Sequence, residues 1–167
     1  MNRSPDSPPD VTPLRGTPAV TPAIAHASPF FALVRPHQGE ESRIIDHVSN
    51  VEYLRWLDRA AELHMDSLGW TRDDLLKSGR MWFVARHEID YLAEAHAGDE
   101  LHLATWVRDL RRAKSWRETV IWRNPIDSDD EPCMVCSAAT LWVLVDLETR
   151  RPCRVPPEMA DVLSPLL

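Results

Sequence analysis

Apolar and polar positions along this chain follow two periods, one after the other. Over residues 50–68 the apolar positions recur with the 3.6-residue period of a helix. Leu54, Leu57, Ala61, Met65 and Leu68 fall on one narrow face, which Tyr53, Ala60 and His64 widen. Ser49 followed by Glu52 fits a capping box at the start, and Gly69 stands where a left-handed C-terminal cap belongs. So broad an apolar arc predicts a central helix wrapped by other structure. A second short helix is expected from Thr71, with Asp73 and Asp74 in its first turn and Gly79 at its end. After Arg80 the period drops to two. The runs MWFVARHEIDYL, ELHLATWVRDL, SWRETVIWR and CSAATLWVLVDL are rich in β-branched and aromatic residues and read as strands. Their short, turn-like connectors predict antiparallel hairpins in a meander. The stretch 29–36 (PFFALVRP) reads as an earlier strand, followed by a polar loop over 37–46. Strand, long helix, then meander places the chain in the α+β class.

Composition changes this picture mainly at the N-terminus. Seven of the fourteen prolines fall in the first 29 residues, among Ser, Thr, Ala and Asp. Such a segment is expected to lack the apolar surface that offsets ordering entropy, so 1–28 reads as a disordered tail and 29–167 as one domain. Removing the tail is expected to leave the fold intact. No apolar run approaches the roughly 20 residues that span a bilayer, and the first residues lack the apolar core of a secretory signal. A cytoplasmic protein is the expectation.

The net charge of −7 argues against general nucleic-acid binding. Its distribution is uneven, however. Arg108, Arg111, Arg112, Lys114, Arg117 and Arg123 crowd one segment, with Asp109 and Glu118 the only acids among them. Such a patch fits a small polyanion, or else it is a solvated hairpin tip. Three cysteines argue against a disulfide framework. Cys133 and Cys136, three apart on a strand, point to opposite faces, so no metal site is expected from them. No phosphate loop, nucleophile elbow or His-Glu-x-x-His motif appears.

The run His47-Val48-Ser49-Asn50-Val51-Glu52-Tyr53-Leu54 sets a polar loop on a helix start. Unpaired N–H groups and partial positive charge there suit a developing oxyanion. This run resembles the hot-dog fold, specifically the 4-hydroxybenzoyl-CoA thioesterase-like acyl thioesterases. Their loop typically reads Asp-x-x-Gly-His-Val-Asn-Asn-x-x-Tyr-Leu. His47-Val48-Ser49-Asn50 and Tyr53-Leu54 match it, with Ser49 in place of the first Asn. Glu88-Ile89-Asp90-Tyr91, Gly98-Asp99-Glu100-Leu101 and the strand from Thr140 to Asp146 extend the resemblance over roughly residues 30 to 160. Two positions depart from it: Arg43 replaces the usual catalytic Asp, and Asp46 replaces the Gly before the His.

The resemblance implies a long helix wrapped by an antiparallel sheet and hydrolysis of acyl-CoA or acyl-carrier-protein thioesters without metal or cofactor. The carboxylate that activates water is then Asp46 or Asp58. Asp58 lies about 20° from Met65 on the helical wheel, where burial would suit acid–base work. Asn50 and His47 are candidates to orient water or the carbonyl, and Tyr53 to meet substrate at the helix start. Arg111, Arg112 and Lys114 are candidates for the phosphates of coenzyme A or the acidic surface of a carrier protein. Packing among Trp56, Met65, Met81, Trp82 and Phe83 is expected to shape the acyl pocket. The resemblance also implies a homodimer or a dimer of dimers that completes the site across an interface. The alternatives are an acyl-thioester-binding protein without turnover, best supported by Arg43, and more remotely a hot-dog dehydratase or hydratase.

Overall fold

A computed structural model describes residues 8–42, 44–125 and 131–166. In chain order the elements are β1 (Val11–Pro13), β2 (Phe30–Val34), α1 (Asn50–Ser67), α2 (Arg72–Lys77), β3 (Arg80–Tyr91), β4 (Leu101–Arg111), β5 (Lys114–Arg123), β6 (Cys133–Asp146), β7 (Arg151–Pro152) and α3 (Pro157–Leu163). The strands form one antiparallel sheet in the order β1-β2-β4-β5-β6-β3, with β7 on β6. The sheet curls round α1, which is the expected α+β hot-dog arrangement.

The meander is shorter than expected. It comprises β4, β5 and β6, while β3 pairs with β6 at the far edge instead of with β4. Residues 92–100 cross the end of the sheet between them. They are held there by Leu92 N–H donating to Val135 O at 2.9 Å and Val48 N–H donating to Ala95 O at 2.7 Å. Ala95 is buried beneath this crossing, so the segment serves as packing and not as a hairpin turn. The outer edge of β3 therefore pairs with no strand among the described residues.

Helix α1 buries Tyr53, Trp56, Leu57, Ala60, Ala61 and His64. At 100° per residue this face is rotated by roughly 70° from the centre the apolar periodicity indicated. The displaced side, with Ala61 and Met65, fronts a cavity instead of close-packed sheet. Ser49 Oγ caps the helix by accepting from Val51 N–H at 3.4 Å. The capping box is one-sided, because the Glu52 carboxylate pairs with Arg55 at 2.9 Å. At the other end Gly69, at φ +81°, allows Gly69 N–H to reach Asp66 O and Trp70 N–H to reach Met65 O, both at 3.0 Å. That is a Schellman closure, and Trp70 and Met65 share an apolar cluster, as its hydrophobic contact requires. Helix α3 was not foreseen; Met159 and Leu163 seat it on Leu75, Val107 and Leu144.

The expectation of a disordered 1–28 is corrected from residue 8 onward. β1 pairs in register with β2, and Leu14 N–H donates to Phe31 O at 2.9 Å. Leu14 and Ile24 pack on Phe31, Ala104, Trp106 and Trp122, on the face of the sheet turned away from α1. Trp122 Nε1–H donates to Val20 O at 3.2 Å. A few apolar anchors supply burial that average composition conceals, and Pro13 is tolerated because β1 is an edge strand.

Candidate functional site

Residues 40–42 run back along residues 47–49 before α1. Glu41 bridges Val48, Ser42 N–H donates to His47 O at 2.7 Å, and Ser49 N–H to Glu40 O at 2.8 Å. Arg43 lies outside the described residues. Asp46 is exposed at the tip, whereas His47 is half-buried. The His47 Nδ1 is buried with no partner among the described residues. Asn50 opens α1 at the surface, and the Tyr91 hydroxyl donates to its carbonyl at 3.2 Å. Tyr53 is buried one turn on, with its ring edge-on to Tyr91 at 5.1 Å. Burial pushes the Tyr53 hydroxyl up to about 12, so it is a neutral group at physiological pH.

A cavity of about 420 Å³ lies between the second half of α1 and the sheet. Its size suits a small organic group. Met65, Met81, Trp82 and Phe83 line it as expected, but Trp56 does not. Trp56 is wholly buried in the core because the packed face of α1 is rotated toward it.

Asp58 stands on the cavity wall and corrects the expectation of a buried carboxylate. Its side chain is 49% exposed and pairs with Arg72 at 2.9 Å. Arg72 also reaches Glu62 at 3.2 Å, and Glu62 pairs with Arg59 at 2.6 Å. Asp66, in the last turn of α1, has its carboxyl raised, first by burial and then by Glu62. His87 on β3, absent from the candidates read along the chain, shares a hydrogen bond with Thr140 Oγ1 at 3.0 Å. Burial lowers its pKa while the charge of Asp58 opposes the shift, which places the two within electrostatic reach.

Arg117 was expected in a surface patch and is instead buried. Alternation along β5 turns it inward, opposite Thr140 of β6 and Val107 of β4. Its Nη1 lies 2.8 Å from His64 Nδ1 and 3.3 Å from Thr105 Oγ1. His64 also stacks on Phe30 at 5.3 Å. Desolvation, and then the neighbouring guanidinium, lower the His64 pKa from 6.5 to about 3. The unfolded chain therefore binds a proton between pH 6.5 and 3 that the folded chain refuses. Stability is full above pH 6.5 and should fall below it, by up to about 1.4 kcal/mol per pH unit from this group. His87 and His102, also lowered by burial, act with the same sign. Urea unfolding at pH 7, 6 and 5 measures the slope, and His64→Gln should flatten it; an unchanged slope would contradict a buried neutral imidazole.

The structure thus gathers Asp46, His47, Asn50 and Tyr53 at one helix start. Asp58 is eight residues further on, about 12 Å along the axis at 1.5 Å per residue. Arg111, Arg112 and Lys114 lie at the β4–β5 turn, at the other end of the sheet from that helix start. The basic run does not form one patch, because strand alternation and ion pairing divide it. Arg111 pairs with Asp109 at 3.2 Å, Arg123 with Asp99 at 2.6 Å, and Arg108 with Glu118 while lying over Trp116. Arg112 and Lys114 have no acidic partner among the described residues. On β6 Cys133 is exposed and Cys136 buried, and burial raises the Cys136 thiol to about 12. Among the described residues no three His, Cys, Asp or Glu side chains cluster closely enough to hold a metal. Nor is any helix among the described residues long and apolar enough to cross a membrane.

Comparison with known proteins bears on this arrangement. Residues 43–163 match the sequence profile described as the thioesterase-like superfamily. Comparison with curated protein sequences finds no match. Among solved structures, a 1,4-dihydroxy-2-naphthoyl-CoA thioesterase from Synechocystis is similar at 16% identity and a TM-score of 0.71, covering 81% of this chain and 96% of its own. A putative oleoyl thioesterase from Lactobacillus plantarum is 21% identical with a TM-score of 0.73, over 84% of this chain and 52% of that one. A hypothetical protein from Staphylococcus aureus, solved in complex with CoA, is 12% identical with a TM-score of 0.73, over 82% of each chain. At these identities the likeness is one of fold.

Proposed function

The chain belongs to the thioesterase-like superfamily, and from that membership we propose that it hydrolyses acyl thioesters of coenzyme A or of an acyl carrier protein. The observation that carries this reading is the cavity beneath α1 with Asp58 on its wall, a carboxylate set beside space for an acyl group. Asp46, exposed on the loop, does not line this cavity.

Asp58 accepts a proton from water as the water oxygen bonds to the acyl carbon. The resulting oxyanion needs N–H donors, and the start of α1 at Asn50 supplies them. Collapse of the intermediate breaks the carbon–sulfur bond, and the proton passes from Asp58 to the departing thiolate. One protomer cannot bring its own Asn50 and Asp58 to one carbonyl, since about 12 Å of rigid helix separates them. A two-fold axis solves this, because residue i then faces residue j and j faces i. The helix start of one protomer meets the partner subunit's Asp58.

The unpaired outer edge of β3, with Phe83, Val84 and Tyr91 exposed beside it, is the surface we assign to that contact. Light scattering should give at least twice the 19.1 kDa chain mass; a monomer at micromolar concentration would remove the shared site. Arg112 and Lys114 are free to meet phosphates, and Arg111 joins them only by releasing Asp109. Free-thiol release from a panel of aliphatic and aromatic acyl-CoAs tests the hydrolysis. A binding protein without turnover is the second reading, favoured by the tie between Asp58 and Arg72. Tight acyl-CoA binding with no thiol released would select it.

A further inference from the structure

We infer that Arg117 makes the cavity beneath α1 a site for acyl groups that end in a carboxylate, so that the substrate is the half-thioester of a dicarboxylic acid. The inference deepens the thioesterase reading and rests on it. A buried charge is ordinarily paired, because desolvating it alone is costly. Arg117 is 5% exposed and lines the cavity, yet no carboxylate among the described residues pairs with it. Its two hydrogen-bonding partners, His64 and Thr105, are neutral, and both are met by Nη1. Neither of these bonds uses Nε or Nη2. A guanidinium offers five donors in a rigid fork that fits a carboxylate with two parallel bonds.

The surroundings repeat the same deficit of acceptors. Trp82 and Trp142 both line the cavity, and the indole N–H of each is buried without a partner among the described residues. Of the carboxylates on the cavity wall, Asp58 and Glu62 are engaged by Arg72 and Arg59, and Asp66 lies within electrostatic reach of the same two arginines. Arg117 remains a cation at neutral pH, since burial lowers its pKa only to about 10. It touches His64, six residues beyond Asp58, or about 9 Å along the helix. That spacing suits a short dicarboxylic chain, with the thioester at Asp58 and the distal carboxylate at the guanidinium.

Adipyl-CoA and hexanoyl-CoA, which differ in the terminal carboxylate, provide the test. The wild type should favour adipyl-CoA in kcat/KM by roughly 10- to 100-fold, as a charge-assisted pair implies. Arg117→Met should collapse that ratio toward one, and Arg117→Lys should keep part of it. Equal use of both thioesters by the wild type overturns the anion site and leaves the hydrolysis reading standing. Thermal unfolding of the wild type with free adipate or hexanoate keeps the proposal falsifiable if the variants do not fold. Stabilisation by adipate alone, with neither thioester turned over, upholds the anion site and sinks the hydrolysis reading. No stabilisation by adipate and no preference for its thioester overturns the proposal.

Discussion

Asp58→Asn should lower kcat roughly 10²- to 10⁴-fold on every acyl-CoA the protein turns over, with KM little changed. The substitution preserves shape and one oxygen, so Arg72 keeps a partner at 58 and its second contact to Glu62. The cavity wall therefore stays in place while the capacity to accept a proton is lost. Asp46→Asn, made alongside, separates this from a loop-based mechanism. A loss as deep at Asp46 and a mild one at Asp58 would move the base to the loop before α1 and discard the shared-site geometry. In the proposed dimer each site draws on both chains, so mixing the Asp58→Asn chain with an Asn50 variant should restore part of the turnover. No restoration after subunit exchange would overturn the shared site.

Trp56→Ala should cost about 3–5 kcal/mol of unfolding free energy, the range for truncating a buried aromatic. Against a total stability of about 5–15 kcal/mol, that removes much of what holds the domain together. Trp56 is wholly buried and its ring lies 4.6 Å from Tyr53, which in turn meets Tyr91. The cavity left behind would open directly beneath the helix start. Urea titration followed by circular dichroism gives the change in midpoint. A loss under about 1 kcal/mol would mean that α1 does not rest on the sheet through this residue.

Much of this architecture was legible in the residues. The switch from a 3.6 period to a period of two located α1 and the long strands, and Gly69 marked the helix end that the Schellman closure now explains. Four of the five side chains expected around the pocket line it. What failed did so for physical reasons. Periodicity along α1 weighed Leu54, Met65 and Leu68 as core, yet all three are only partly buried, Met65 on the cavity wall, and the sheet closes on Trp56 instead. Asp58 was placed by its wheel angle alone, which carries no information about Arg72, a residue 14 positions away that meets it through α2. The cluster of basic residues from Arg108 to Arg123 was counted along the chain, whereas a strand sends neighbours to opposite faces. Arg117 therefore went into the core, and only strand register could have revealed it. Partnering of β3 with β6 was likewise invisible, because nothing local records which strand a sheet edge meets.

The N-terminal segment laid on the outer face of the sheet also sets an order of events during synthesis. It leaves the ribosome ahead of the sheet it covers, and Val20 receives its bond from Trp122, 102 residues later. His26 meets the carbonyl of Ser164, 138 residues later. At roughly 5–20 residues per second, the segment waits about 5–30 s for its landing surface to exist. Its prolines, which cannot donate to a ladder, suit that interval, since they discourage pairing with other nascent chains. The segment is thus a seal applied last, and the tryptophans beneath it are the surface on which an unfinished chain is most exposed to its neighbours.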